Sequence, residues 1–293
     1  MNAGIEDVRA FWNANPCGND LSAASERKAF FDEHEQKRYS LEPHIPEIAR
    51  FDAFKGVKVL EIGCGIGCDG LQFGRAGADY TGVDLTPAAV ATTSERFGVY
   101  GLSGRFEVVN AELLPFEDTS FDHVYSFGVI HHSPHTSRIV DEIHRVLRPG
   151  GTVCVMIYNR SSINYYGEIM FLRKIFRRLL YPAWMPRALA SVLGFDRQVL
   201  ERHRALMTER PHMTKEEWIS INTDGPDCPL AKVYDAREAR RLFAKFESVR
   251  TEVRHFDRAH WSFLGRAMPN RVANFLGRHW GWHRIVYATK AAR

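Results

Sequence analysis

"LEIGCGIGCDG", residues 60–70, holds two overlapping glycine patterns, and which of them is read decides what kind of ligand the chain carries. Counted from Gly65, it spells Gly-x-Gly-x-x-Gly, the turn that seats a dinucleotide pyrophosphate on a helix N-terminus. Counted from Glu61, it spells Glu-x-Gly-x-Gly-x-Gly, with Gly63, Gly65 and Gly67 following an acidic residue at a strand end. A pyrophosphate seeks backbone N–H groups and is opposed by a carboxylate just ahead of the loop. A ligand with a positive ammonium or sulfonium centre reverses that argument, so Glu61 favours the cation. Either ligand needs the glycines, because only a backbone without Cβ permits so close an approach. Asp84, 21 residues after Gly63, ends the second strand, where its two oxygens can accept both hydroxyls of a ribose. Dinucleotide enzymes also use an acid there, so Asp84 points to a ribose without choosing the cofactor.

Outward from this loop, short β-branched runs alternate with helical stretches, the pattern of a parallel α/β sheet. Residues 57–62, 79–84, 106–110, 121–127 and 151–158 read as strands, and 69–76, 87–98 and 136–147 as helices between them. Pro87 at a first helical position and Gly150-Gly151 after "HRVLR" are start and stop signals. After Tyr158 the alternation stops for about 75 residues, and 165–195 mixes apolar and basic positions at helical spacing, broken by Pro182 and Pro186. The alternation returns as a helix at 236–246 and strands at 248–256 and 283–290, joined by an excursion with Trp261, Trp280 and Trp282. These shifts divide the chain into a helical lid (1–50), an α/β core (51–158), an inserted helical cap on the substrate side (159–235) and the remainder of the core (236–293).

At 293 residues the chain can bury a full core, and 45% hydrophobic with 25% charged residues is ordinary for a globular protein. No apolar run approaches the roughly 20 residues that span a bilayer, and the polar N-terminus lacks a signal-peptide core, so the expected location is the cytoplasm. The five scattered cysteines suggest neither a disulfide framework nor a structural zinc site. A net charge of +4 conceals an asymmetry, −8 over residues 1–150 and +12 over 151–293, where Arg outnumbers Lys by 20 to 5. Arginine favours bidentate contact with carboxylate or phosphate, although a solvated basic surface has the same composition.

Four blocks in order, "VLEIGCGIG" (59–67), "GVDLTP" (82–87), "NAELLPFEDTSFDHVYSFGVIHH" (110–132) and "EIHRVLRPGGTV" (142–153), resemble the class I S-adenosylmethionine-dependent methyltransferases, in particular the small-molecule branch related to the ubiquinone/menaquinone enzymes. The resemblance covers about residues 55–158. It implies a Rossmann-like α/β fold with a seven-stranded, mainly parallel sheet, and S-adenosylmethionine as cofactor with S-adenosylhomocysteine as product. Glu61, Gly63, Gly65 and Gly67, with Cys64 between them, would line the methionine side, Asp84 the ribose, Leu85 one adenine face, and Ala111 and Glu112 the adenine edge. Phe127, at the end of the fourth strand, joins this set. Asn110 stands where relatives often have aspartate; its amide oxygen can accept the same adenine hydrogen bond, or simply close the turn after the third strand. Within the lid, Tyr39 and Arg38 are candidates for the cofactor carboxylate.

Methyl transfer from a sulfonium is a single displacement, so alignment and water exclusion are the main tasks, and a base matters only if the acceptor loses a proton. His131 and His132, after the fourth strand, are the candidates, His131 ahead of His132. No metal is expected, because His131, His132 and His135 lack a carboxylate partner and Cys64 and Cys68 occupy the glycine loop. Trp12, Tyr158, Asn159, Tyr165 and Tyr166 are candidates for the acceptor, an aromatic or anionic small molecule. The loop 222–234, "NTDGPDCPLAKVY", returns the cap to the sheet and is long enough to suggest function. Nucleic acid is not an expected partner, since the base-amino methyltransferase motif is replaced by "SFGVIHH" (126–132). Three other readings stay open: a membrane-surface lipid or quinone methyltransferase using the basic segment 168–181, a nucleic-acid enzyme, and a non-catalytic partner subunit. A homo-oligomer is compatible with all of them.

Overall fold

The computed structural model describes every residue except 1, 2, 19, 20, 195, 257, 259, 260, 262–264, 266 and 293. The chain begins with α1 (Ile5–Ala14), α2 (Arg27–Leu41) and α3 (Ile45–Ala49). Alternating strands and helices follow: β1 (Lys58–Ile62), α4 (Cys68–Arg75), β2 (Asp79–Asp84), α5 (Pro87–Val99), β3 (Arg105–Val108), β4 (Phe121–Phe127), α6 (Thr136–Val146) and β5 (Leu147–Asn159). A π-helical stretch, Asn164–Leu172, leads into α7 (Arg173–Leu179), α8 (Met185–Leu193), α9 (Arg197–Glu209) and α10 (Lys215–Ser220). The chain then returns through β6 (Val233–Tyr234), α11 (Ala236–Leu242), β7 (Ser248–Arg254), α12 (Asn270–Trp280) and β8 (His283–Thr289).

These strands form one sheet in the order β3-β2-β1-β4-β5-β8-β7. β1 to β5 run parallel, and β8 is antiparallel to both β5 and β7. Strand order reverses between β1 and β4, which opens the crevice where ligands bind in doubly wound sheets. The seven expected strands are present; the eighth is the two-residue β6, paired with the end of β5, too short to show in a hydrophobic pattern.

Local chemistry explains the element ends. Thr86 caps α5 by accepting the Ala89 N–H at 3.3 Å, with Pro87 supplying a preset first-turn φ. The third strand ends at Val108 rather than 110 because the Asn110 side chain accepts the Glu112 N–H at 3.0 Å and turns the chain. β5 starts at Leu147, four residues earlier than expected: Pro149 cannot continue the helix, and Leu147 pairs with Phe121 across a register shift.

Side chains alternate across the sheet, so each strand feeds two cores. Val153, Val155 and Ile157 face one layer with Ile139, Val140, Ile143 and Val146, the buried stripe of α6. Cys154, Met156 and Ile285 face the other, with Phe51, Phe73, Tyr80 and Phe97. A third cluster, Tyr165, Ile169, Trp218, Ile219 and Trp282, fastens the helical excursion 164–220 onto the start of β8. Part of the tryptophan-bearing excursion between β7 and α12 lies outside the described residues.

Candidate active site

A cavity of about 940 Å³ lies over the C-terminal ends of the central strands, near the upper end of the range for small-molecule sites. Its floor is the glycine loop. Gly63, Gly65 and Gly67 hold φ of 80°, 55° and 75°, the left-handed region that favours glycine. A Cβ on Gly63 would stand 2.2 Å from Val129 Cγ2, whereas one on Gly65 would meet nothing within 4 Å. Gly63 is therefore required by packing, and Gly65 leaves its face open for a close ligand.

Asp84 is held rigidly beside this loop. Its Oδ2 accepts the Gly65 N–H at 3.1 Å, and its Oδ1 accepts the Thr86 N–H and hydroxyl, each at 2.9 Å. Burial raises its carboxyl above the ordinary range, and these donors oppose that rise. Glu61 is more deeply enclosed and accepts a short hydrogen bond from the Tyr80 hydroxyl. Burial, then the nearby Asp69 charge, pushes the Glu61 carboxyl well above its usual value. A positive centre brought beside it would offset the repulsion from Asp69 and favour the ionised carboxylate.

The N-terminal helix α2 is tied to this floor by ionic contacts. Arg38 of α2 donates Nε and Nη2 to the two Asp69 oxygens at 3.2 and 2.9 Å, and Asp69 also accepts from Tyr39 at 3.1 Å and Tyr125 at 2.9 Å. Burial alone would raise the Asp69 carboxyl, but Arg38 and these hydroxyls outweigh it and hold it below the ordinary value.

The opposite wall carries a histidine with a defined tautomer. His132 Nδ1 lies 2.7 Å from the Leu230 carbonyl oxygen, which can only accept, so Nδ1 bears a hydrogen and the neutral ring would carry its lone pair on Nε2. Asp224 Oδ2 is 3.8 Å from that Nε2, and Asp224 Oδ1 accepts the Tyr158 hydroxyl at 2.7 Å. The Trp12 ring of α1 meets His132 edge-on at 5.0 Å, and Tyr158 stacks on Trp282 at 4.5 Å.

Of the residues singled out in the sequence, Trp12, Glu61, Gly63, Cys64, Gly65, Asp84, Leu85, Asn110, Ala111, Phe127, His132 and Tyr158 line this one cavity. The others have different surroundings. Tyr39 points its hydroxyl at Asp69 and the Cys68 carbonyl; Gly67 is the N-cap of α4, behind the lining. Glu112 accepts from Ser133 Oγ at 2.6 Å, fastening the loop after β4 instead of lining the cavity. Asn159 bonds the Gly281 carbonyl and Arg284, Tyr165 is buried in the third cluster, and Tyr166 is 61% exposed. His131 is fully buried against Tyr158, neither ring nitrogen has a hydrogen-bond partner, and burial holds its pKa well below the ordinary value. It is not among the residues that line the cavity.

Sequence reading also missed Asp224, His44, His255, His283 and Trp282, all of them cavity-lining. Asp224 sits in the loop whose length and punctuation marked it; the histidines lie on separate elements, where no local spacing reveals them.

A methyltransferase domain model matches residues 60–155. Over 136 residues, 46% of this chain and 40% of the relative, the chain is 35% identical to the sterol 4-C-methyltransferase strm-1 of Caenorhabditis elegans. It is 34% identical over 153 residues to the phthiotriol/phenolphthiotriol dimycocerosates methyltransferase of Mycobacterium leprae, covering 50% of this chain and 56% of that one. The chain thus spans about half the length of these curated relatives. The crystal structure of the [4+2]-cyclase SpnF aligns with 100% of this chain and 98% of its own at TM-score 0.57 and 17% identity, a likeness of fold alone. Sheet order, glycine loop and matched domain agree: residues 60–155 of this chain form a methyltransferase domain of the class I S-adenosylmethionine-dependent type.

Proposed function

We propose that the protein transfers a methyl group from S-adenosylmethionine to an oxygen, nitrogen or sulfur of a small organic acceptor with a lipid-like body. The observation that supports the reading is that the glycine loop and His132, its Nδ1 held by the Leu230 carbonyl, line one cavity. The cofactor supplies a methyl group already activated on a sulfonium. Asp84 and the open face of Gly65 hold the ribose side, and Glu61 sets a carboxyl where positive charge is favoured. His132 Nε2 takes the acceptor's proton, and Asp224 stabilises the imidazolium that results, a contribution of about 10²–10⁴ in rate. Trp12 covers the wall from the lid and excludes water. Ile139, Met156, Phe256 and Trp282 give the cavity apolar lining, and the sterol and dimycocerosate named for the two relatives support a lipid acceptor.

To test this, the purified protein is incubated with methyl-labelled S-adenosylmethionine and cell extract, and the products are separated into small-molecule, lipid, protein and nucleic-acid fractions. Label in the small-molecule or lipid fraction supports the proposal. Label confined to macromolecules, or none above a Gly63→Arg control, contradicts it.

One surface favours an acceptor drawn from a membrane. Phe171, Ile175, Leu179, Tyr181 and Trp184 are exposed between 46% and 76%, beside Lys174 and Arg178. Apolar and aromatic side chains beside basic ones suit an anionic lipid interface. No helix among the described residues is long and apolar enough to cross a membrane. Flotation with anionic vesicles tests this arm: loss of flotation in Phe171→Ser/Trp184→Ser supports it, and absence of flotation by the unaltered protein removes it.

A further inference from the structure

Four residues from distant parts of the chain meet at one end of the cavity, and the mechanism above uses none of them. Glu42 follows α2, His44 precedes α3, His255 follows β7 and His283 opens β8; all four line the cavity. One ligand atom each from Glu42, His255 and His283 lies within 4.8 Å of the other two. Glu42 Oε1 is 3.6 Å and His44 Nε2 is 3.0 Å from His283 Nδ1. The His255 and His283 rings stack with centroids 4.6 Å apart.

His255 adopts φ 64°, a conformation few non-glycine residues take, and is held there by the Trp282 N–H donating to its carbonyl at 2.7 Å. The fold thus accepts backbone strain at the residue that brings this ring into the cluster. The adjacent cations are already matched: Arg38 pairs with Asp69 and Glu42, and Arg254 with Glu252.

We propose that Glu42, His255 and His283 bind a divalent transition-metal ion, zinc fitting the donor set best. Bonds of about 2.0 Å in a tetrahedral site put ligand atoms roughly 3.3 Å apart, so the cluster closes on an ion by side-chain rotation. Two imidazoles and one carboxylate leave a coordination position open towards the cavity, for an oxygen or nitrogen of a bound molecule. This metal site does not depend on the methyl-transfer reading.

The test titrates the chelator-stripped protein with Co²⁺ alone, read by the visible d–d bands of a low-coordinate ion and by the number of equivalents bound. One equivalent with such bands is expected. Glu42→Gln and His255→Asn, the latter chosen because asparagine tolerates positive φ, should each weaken binding by more than about 100-fold. Asp224→Asn, on the opposite wall, should leave it unchanged. Unchanged circular dichroism shows that each variant folds. Absence of the bands in the unaltered protein, or binding that survives Glu42→Gln and His255→Asn but not Asp224→Asn, overturns the proposal.

Discussion

Arg38 and Asp69 join the N-terminal helix α2 to α4, the first helix of the α/β core, through two hydrogen bonds, at 3.2 and 2.9 Å, in a largely enclosed setting. Removing one partner leaves the other charge buried without its counter-ion. Arg38→Ala is expected to destabilise the fold by about 3 kcal/mol, the low end for breaking such a pair. The double variant Arg38→Met/Asp69→Leu should recover part of that loss. Urea unfolding of the three proteins checks both statements, and equal stability of Arg38→Ala and the parent would refute the latch.

The glycines of the loop serve different ends, and alanine separates them. Gly63→Ala drives a methyl into Val129 as well as straining the backbone, whereas Gly65→Ala carries only the strain and blocks the ligand face. Gly63→Ala should lower the thermal midpoint more. Gly65→Ala should keep more of the stability yet weaken S-adenosylhomocysteine binding, as calorimetry would show.

The two adjacent histidines should respond in opposite ways. His132→Gln is expected to reduce turnover by about 10²-fold or more with S-adenosylhomocysteine affinity retained, because it removes a proton acceptor and no cofactor contact. His131→Phe removes buried nitrogens that have no partners, so stability should change by less than about 1 kcal/mol. A larger rate loss in His131→Phe than in His132→Gln would reverse the assignment.

Acid should loosen the fold from about pH 6.5 downward. Burial lowers His34, His44 and His123 from 6.5 to about 3. The unfolded chain therefore binds protons between pH 6.5 and 3 that the folded chain refuses, and stability falls as pH falls through that window. Each histidine accounts for about 1 kcal/mol by pH 5.5. His123, bonded to Thr152 and stacked on Phe54 away from the cavity, is the cleanest probe. His123→Gln should flatten the pH dependence of the thermal midpoint between 7 and 5.5, and an unaltered slope would refute this origin.

What was legible in the sequence follows from the range of the interactions involved. The glycine loop, Asp84 and the parallel strands are local patterns, read within about 30 residues, and the core of the fold could be drawn from them. Asn110 shows where local reading divides: its side chain closes a turn and also lines the cavity, and residue type alone cannot rank the two. What distinguishes His132 from His131 comes from Leu230 and Asp224, about 95 positions away, and no local pattern carries it. Tyr165 and Asn159 looked like acceptor contacts, yet packing against Trp282 and bonding to Arg284 turn them inward. His255 and His283 come together through pairing of the antiparallel end of the sheet, Glu42 joins them from the end of α2, and no spacing of residues announces it.

The whole account rests on the cavity above the glycine loop being where the cofactor is held, so the deciding measurement is calorimetric titration of S-adenosylhomocysteine into the unaltered protein and Asp84→Ala. The account predicts one site in the unaltered protein and at least about 100-fold weaker binding in the folded variant, the scale of losing two hydrogen bonds to a charged acceptor. Equal affinity in the two proteins, or no binding to the unaltered one, would contradict it.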